Sequence, residues 1–343
     1  MRDLSCGLLQ IHLEFELRRV SCPHCGVTRE KRDGLADHPF YTKRFADYVG
    51  RRGRDSTIKA IAEELDWDGK TVKDLDKQYM REQWRRVGCP TPRVIGLDEV
   101  SIRKGHTYRI VVSDWRRRRP LWFGGRDRSE ASMEQFYTWL GPKKCARIRL
   151  AVMDMWKPFR TATARRARNA AVLFDKFHIM RHWGEALDHV RQSEYARLTG
   201  SKRRFIKGQK YTLLSNRENL DLEGRRALKE LLRVNRRLQV AYLLKESFGQ
   251  LWDYQREGWA WRFFQNWKAA LKWQRLEPYQ KFARLIEEHW DGLAAFCQPE
   301  NKVSRGFVEG LNHKIRVIQR RAYGLRDEEY LRLKILTCRL PAF

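Results

Sequence analysis

Two carboxylates stand out because each interrupts or ends an apolar run. Arg93-Val94-Ile95-Gly96-Leu97-Asp98-Glu99-Val100-Ser101-Ile102 carries an acidic pair in its middle, and Ile148 to Met153 leads directly into Asp154. A carboxylate buried in such a run is costly unless it is paired or holds a metal. Two of them in one domain predict a metal site. Side chains alternate along a strand, so Asp98 and Glu99 cannot both face it, and Glu99 is expected behind the site or at the surface. A second metal chemistry is suggested by Cys22-Pro23-His24-Cys25. A CxxC knuckle supplies two of the four ligands of tetrahedral zinc; Cys6, His12, His24 and His38 are further candidates. Asp175 and His178, three residues apart, share one side if a helix begins there. They could steady the metal site or form an ordinary hydrogen bond at a strand-to-helix junction.

The elements that must position these residues can be read from periodicity. Arg93–Ile102, His106–Ser113 and Pro120–Phe123 read as three strands. Ser129–Leu140 reads as a helix with Met133, Phe136, Tyr137 and Leu140 on its apolar positions. The strand ending at Asp154 follows, then a basic helix over Lys157–Asn169 and a fifth strand over Ala170–Asp175. Three antiparallel strands, helix, strand, helix, strand is the order of an RNase H-like fold. That α/β fold sets its first and fourth strands side by side in a mixed sheet with helices on both faces, so acids on them converge. Fold order alone is analogy, and function has to rest on the site.

Ahead of this core, Ile11–Val20 reads as a strand before the cysteine knuckle. Ile58, Ile61, Ala62 and Leu65 share one face of a helix that Ser56 or Thr57 can cap. Asp66-Trp67-Asp68-Gly69 breaks it, and a second helix follows with Val72, Leu75 and Tyr79 inward. Two short helices around a tight turn form a helix-turn-helix, whose second helix would offer Lys70, Thr71, Lys73, Asp74 and Lys77 to a major groove. From 181 to about 300 the chain reads as a wholly helical insertion. Its tryptophans (Trp252, Trp259, Trp261, Trp267, Trp273) can stack on unpaired nucleotides, but helical spacing predicts core for most. Last, Ser304 can cap a helix with Phe307, Leu311 and Ile315 on one face and Glu309, Asn312, His313 and Arg316 on another. The expected domains are a zinc-finger-like segment at 1–45, a helix-turn-helix at 46–90 and a catalytic core at 91–180. An all-α insertion at 181–300 and the core's last part at 301–343 follow.

The bulk of the chain narrows the partner. A net charge of +29 on 343 residues implies a polyanion, and nucleic acid fits best. No run of about 18 apolar residues exists to span a membrane, and Met1–Glu16 lacks the pattern of a signal peptide. Seven scattered cysteines do not make a disulfide framework, and a reducing cytoplasm is expected.

Gly96-Leu97-Asp98-Glu99, Lys104-Gly105-His106-x-Tyr108, Val152-Met153-Asp154-Met155, Phe174-Asp175-Lys176-Phe177-His178 and Val308-Glu309-Gly310-Leu311-Asn312 together resemble bacterial insertion-sequence transposases of the ISL-three group. The likeness runs from about Arg2 to Leu340. It implies a DDE enzyme whose RNase H-like core is split by a helical insertion. It further implies an N-terminal zinc-binding segment and a helix-turn-helix that recognise terminal inverted repeats of double-stranded DNA. Asp98, Asp154 and Glu309 would be the carboxylates that hold two Mg²⁺ or Mn²⁺ ions, with the protein acting as a homo-oligomer on nucleoid DNA. Asn312 and Arg316 would grip phosphates beside the scissile one. The family pattern has another CPxC-like pair upstream; Cys22 and Cys25 match the second pair, so the chain is expected to start within the zinc segment. Glu287, Glu288, Asp291 and Glu300 compete with Glu309 for the third position, but only Glu309 sits one turn into a capped helix between two glycines. Two rivals stand beside this reading. One is a decayed or domesticated helix-turn-helix DNA-binding protein without catalysis; the other is a nuclease that cuts and does not join.

Overall fold

The computed structural model describes every residue except 8, 15, 31–33, 36–39, 104–106, 302–305, 323–326 and 342–343. His38, the Lys104-Gly105-His106 motif, the Ser304 cap and Tyr323-Gly324 therefore lie outside the described residues. The elements begin with β1 (Arg19–Cys22), β2 (Gly26–Arg29), α1 (Lys43–Gly53), α2 (Ile58–Leu65) and α3 (Gly69–Val87). Next come β3 (Val94–Arg103), β4 (Thr107–Asp114), β5 (Arg119–Gly124), α4 (Glu130–Leu140) and α5 (Pro142–Cys145). After β6 (Leu150–Met153), α6 (Lys157–Arg166), β7 (Ala171–Phe174) and α7 (Lys176–Arg197) the chain is helical. It runs through α8 (Gly200–Gly208), α9 (Lys210–Leu214), α10 (Leu222–Val234), α11 (Arg236–Phe248) and α12 (Glu257–Ala270). The last helices are α13 (Glu277–Glu288), α14 (Trp290–Ala294), α15 (Gly306–Arg321) and α16 (Glu328–Thr337).

Five strands make one mixed sheet in the order β5-β4-β3-β6-β7. β4 and β5 are antiparallel, while β6 runs parallel to both β3 and β7. The first and fourth strands of the core, β3 and β6, are thus neighbours, as the element order predicts. Two compact units divide the chain. One comprises Met1–Pro90, Val100–Gly124 and Gly306–Phe343, the other Thr91–Glu99 and Gly125–Arg305.

In the first unit, Phe45, Val49, Ile61, Leu65, Val72 and Leu75 form the core of α1, α2 and α3. Thr42, Thr57 and Asp68 cap the three helices, each accepting the N–H three residues on. Asp66, in the left-handed region at φ 48°, ends α2 and makes the turn tight. Gly50 lies against Tyr79 so closely that a Cβ would sit 2.1 Å from the ring; only glycine lets α1 approach α3 there. α16 is joined to α3 by a buried polar contact: Asp76, 1% exposed, accepts from Lys334 Nζ and Tyr330 Oη, both at 2.6 Å. The N-terminal hairpin pairs only Arg19–Cys22 with Gly26–Arg29. This corrects the longer Ile11–Val20 strand: its partner spans four residues, and the upstream chain makes single bridges instead, Arg2 with His12 and Cys6 with Leu9.

In the second unit, β6 is buried along its whole length, the pattern of a strand covered on both faces. Tyr137 of α4 and Thr163 of α6 share a buried hydrogen bond at 2.7 Å. The helical region centres on Trp183, 1% exposed, whose ring meets Phe248, Trp267, Tyr279 and Phe282 at 4.7 to 5.4 Å between centroids. Trp252 and Trp267 are core, as their spacing predicts, whereas Trp259 and Trp273 stand exposed.

Candidate active site

The β3–β6 ladder pairs Val94 with Leu150, Ile95 with Ala151 and Gly96 with Val152. Continued by two residues, that register sets Asp98 of β3 level with Asp154, the residue that follows the end of β6; paired strands lie about 4.8 Å apart. The two carboxylates that the sequence singled out are therefore brought together within the second unit. Each is oriented by its own backbone: Asp98 Oδ1 accepts the Glu99 N–H and Asp154 Oδ1 the Met155 N–H, both at 2.7 Å. The other Asp154 oxygen faces His178 Nδ1 at 3.4 Å and Arg181 Nη2 at 4.0 Å.

His178 reaches that place because Asp175 caps α7. Asp175 Oδ1 accepts the Phe177 N–H at 2.9 Å, which starts the helix and puts His178 in its first turn. Glu99 is half-buried. Burial pushes its carboxyl above the ordinary value; Arg128 opposes this, and the negative charges of Asp98 and Asp154 add to it. Arg128 Nη1 holds Glu99 Oε1 at 2.6 Å. The Arg128 guanidinium also lies over the Trp156 ring at 4.8 Å, and Trp156 Nε1 donates to the Arg128 carbonyl at 2.7 Å. Sequence reasoning missed Arg128, Trp156 and Arg181. The one available signal was position: Trp156 follows Asp154 by two residues.

Two carboxylates suit magnesium, which is commonly held by one or two acids together with waters and substrate phosphates. Among the described residues no group of three His, Cys, Asp or Glu side chains stands ready for a metal. Glu309 belongs to the first unit. On α15 it is exposed, while Phe307, Leu311 and Ile315 are buried along the apolar face expected of them. Asn312 is half-buried and Arg316 exposed. A Cβ on Gly310 would lie 3.3 Å from Arg339 Nη2.

At the N-terminus, Cys22 and Cys25 interact through their thiols: the contact lowers Cys22 and raises Cys25 relative to an ordinary thiol. The described residues bring no third ligand to them, and Cys6 is an exposed free thiol. On α3, Lys70 is exposed and the Thr71 hydroxyl bonds Asp68 at 3.1 Å. Lys73 and Lys77 do not stand free. Lys73 Nζ is 2.8 Å from Asp327; Lys77 Nζ is 2.7 Å from Asp327 and 3.2 Å from Glu329. Asp327 lifts the Lys77 ammonium above its usual value, and the two lysines hold Asp327 well below the carboxylate range.

Comparison with known proteins identifies the family. Residues 95–335 match a family described as transposase, the DDE family of the ISL3 group. The transposase for insertion sequence element IS1001 of Bordetella parapertussis is 34% identical over 342 residues, covering 98% of this chain and 83% of that protein. The transposase for insertion sequence element IS1557 of Mycobacterium tuberculosis is 26% identical, covering 96% of this chain and 79% of its own length. With the level pair of acids inside the matched segment and the likeness extending over nearly the whole chain, the protein belongs to the ISL3 group of DDE transposases.

Proposed function

We propose that this transposase binds the terminal inverted repeats of an insertion sequence and catalyses metal-dependent DNA strand cleavage and strand transfer. The placement of Asp98 on β3 and of Asp154 at the end of the adjacent parallel strand β6 carries the reading. Mg²⁺ or Mn²⁺, two ions per site, would supply Lewis acidity and an activated oxygen nucleophile for phosphodiester attack. Asp98 and Asp154 would hold the ions, and Glu309 is assigned as the third carboxylate from the family pattern alone. His178, set by the Asp175 cap, orients Asp154. Arg128 balances the charge of Glu99, which would otherwise add a third negative group to a crowded place.

The helix-turn-helix of α2 and α3 is assigned to the element's ends, with Lys70 and Thr71 nearest the start of α3. Lys73 and Lys77 join them by exchanging the carboxylates of Asp327 and Glu329 for DNA phosphates. Asn312 and Arg316 of α15 are assigned to phosphates next to the scissile one, and the protein to a homo-oligomer on DNA. Cys22 and Cys25 are the candidate zinc ligands. If they hold the metal, analysis finds about one zinc per chain, lost when both become serine; with no third ligand among the described residues, the expected result is none, a knuckle without metal.

An assay on a duplex carrying the element's end, with Mg²⁺, tests the whole. The expected outcome is a shifted complex, nicked strands and joined product. A shift alone would identify a DNA-binding protein without catalysis, and nicks without joining a nuclease.

A further inference from the structure

We infer that Trp156 and Phe177 form a stacking subsite for an unpaired DNA base beside Asp154, an inference that rests on the DNA-cleaving reading above. Both are large rings left in solvent: Trp156 is 39% exposed and Phe177 60%. Both connect to one carboxylate. Trp156 follows Asp154 by two residues, and its backbone N–H bonds the Asp154 carbonyl at 2.7 Å. The Phe177 ring stands edge-on to that of His178, at 5.6 Å between centroids and 87° between planes. His178 in turn lies 3.4 Å from Asp154.

A ring on a wandering side chain would say little, but the Trp156 ring is held and Phe177 projects from a fixed backbone. Trp156 Nε1 is bonded to the Arg128 carbonyl at 2.7 Å, and the guanidinium that lies over the ring is itself fixed to Glu99 at 2.6 Å. Phe177 is anchored through its N–H by the Asp175 cap. Its neighbours Phe174 and Ile179 are buried at 1% and 0%, so the core takes the apolar residues on either side and leaves Phe177 out. Lys157 follows Trp156 and Arg181 lies one helical turn after Phe177, both exposed. Exposed rings beside cations suit a nucleotide, which offers a π face together with a phosphate. Stacking of this kind accepts any base, because every base has a π face, and a guanidinium against the ring strengthens the platform. Bases stacked inside a duplex cannot reach such rings. The occupant must be a base freed from its pair next to the scissile phosphate.

The test places 2-aminopurine, in turn, at each position flanking the cleavage point of an element-end duplex and adds protein without divalent metal. One or two positions should change fluorescence. Phe177→Ala and Trp156→Ala should abolish the change, while Phe177→Tyr and Trp156→Phe keep it. With Mg²⁺, the alanine variants should cleave roughly tenfold more slowly or worse. An abasic nucleotide at the responding position should slow the wild type to the same rate. No responding position, or a response kept by both alanine variants, overturns the subsite. So does loss of self-association with the response intact, which would make the rings a contact between copies. A wild type that gives the response yet never cuts leaves the subsite standing and removes the cleavage reading instead.

Discussion

Arg128 illustrates what single residues contribute here. It bonds Glu99, which itself sits in the field of Asp98 and Asp154, and covers Trp156. Removing it leaves a half-buried carboxylate without its cation, which disfavours a third negative charge near the pair. Arg128→Ala is expected to slow Mg²⁺-dependent nicking about tenfold without weakening binding to the element's ends, and Arg128→Lys to restore part of the rate. Equal rates in steady-state assays would make the ion pair incidental. Away from the site, Asp76 is a costly polar residue to disturb, because it is buried and takes both the Lys334 ammonium and the Tyr330 hydroxyl inside the first unit. Asp76→Ala leaves the Lys334 ammonium with the Gly53 carbonyl and no countercharge, and should lower stability by about 3–5 kcal/mol, readable as a lower denaturation midpoint; a change under about 1 kcal/mol would mean water replaces the pair. Asp98 and Asp154 were legible because charge in an apolar run is conspicuous. Arg128 and Trp156 were not, since both lie in short connections where no period marks them and their meeting depends on the fold.

At the scale of elements, the five strands of the sheet and the helix over Ile58–Leu65 were read to within a residue or so, since apolar period and the cap at Thr57 are local signals; the Ile11–Val20 strand and the Asp68 cap were not. Nor was the contact of α3 with α16. Lys73 and Lys77 read as exposed groove-facing cations, yet their partners Asp327 and Glu329 are some 250 residues distant in sequence, and no local pattern joins them. This separates two kinds of lysine on one helix. Lys70→Ala should reduce the slope of log affinity against log salt by about one unit. Lys73→Ala and Lys77→Ala should each also cost about 1 kcal/mol of stability, because their ion pairs are partly shielded from water. Identical salt slopes for Lys70→Ala and wild type in binding titrations would remove that residue from the interface. Gly50 tests the packing of the same helices. Gly50→Ala drives a methyl into Tyr79 and should destabilise the protein by about 1–3 kcal/mol or more, with end binding lost in parallel as temperature rises. An unshifted melting curve would show that α1 can retreat.

For the whole molecule, the charge of +29 was the clearest statement of partner, and no described helix is long and apolar enough to cross a membrane. Charge explains attraction to DNA; it does not explain cutting. That claim rests on Asp98 and Asp154, with Glu309 added by family pattern, and the most direct measurement compares three near-isosteric variants. Asp98→Asn, Asp154→Asn and Glu309→Gln each keep shape and remove the charge proposed to hold an ion. Each is predicted to bind the element's end as tightly as wild type and to lose nicking and joining together, by at least about a thousandfold with Mg²⁺. Joining at near wild-type rate by Asp98→Asn or Asp154→Asn would contradict the account at its centre; by Glu309→Gln alone, it would leave the pair in place and send the third carboxylate elsewhere.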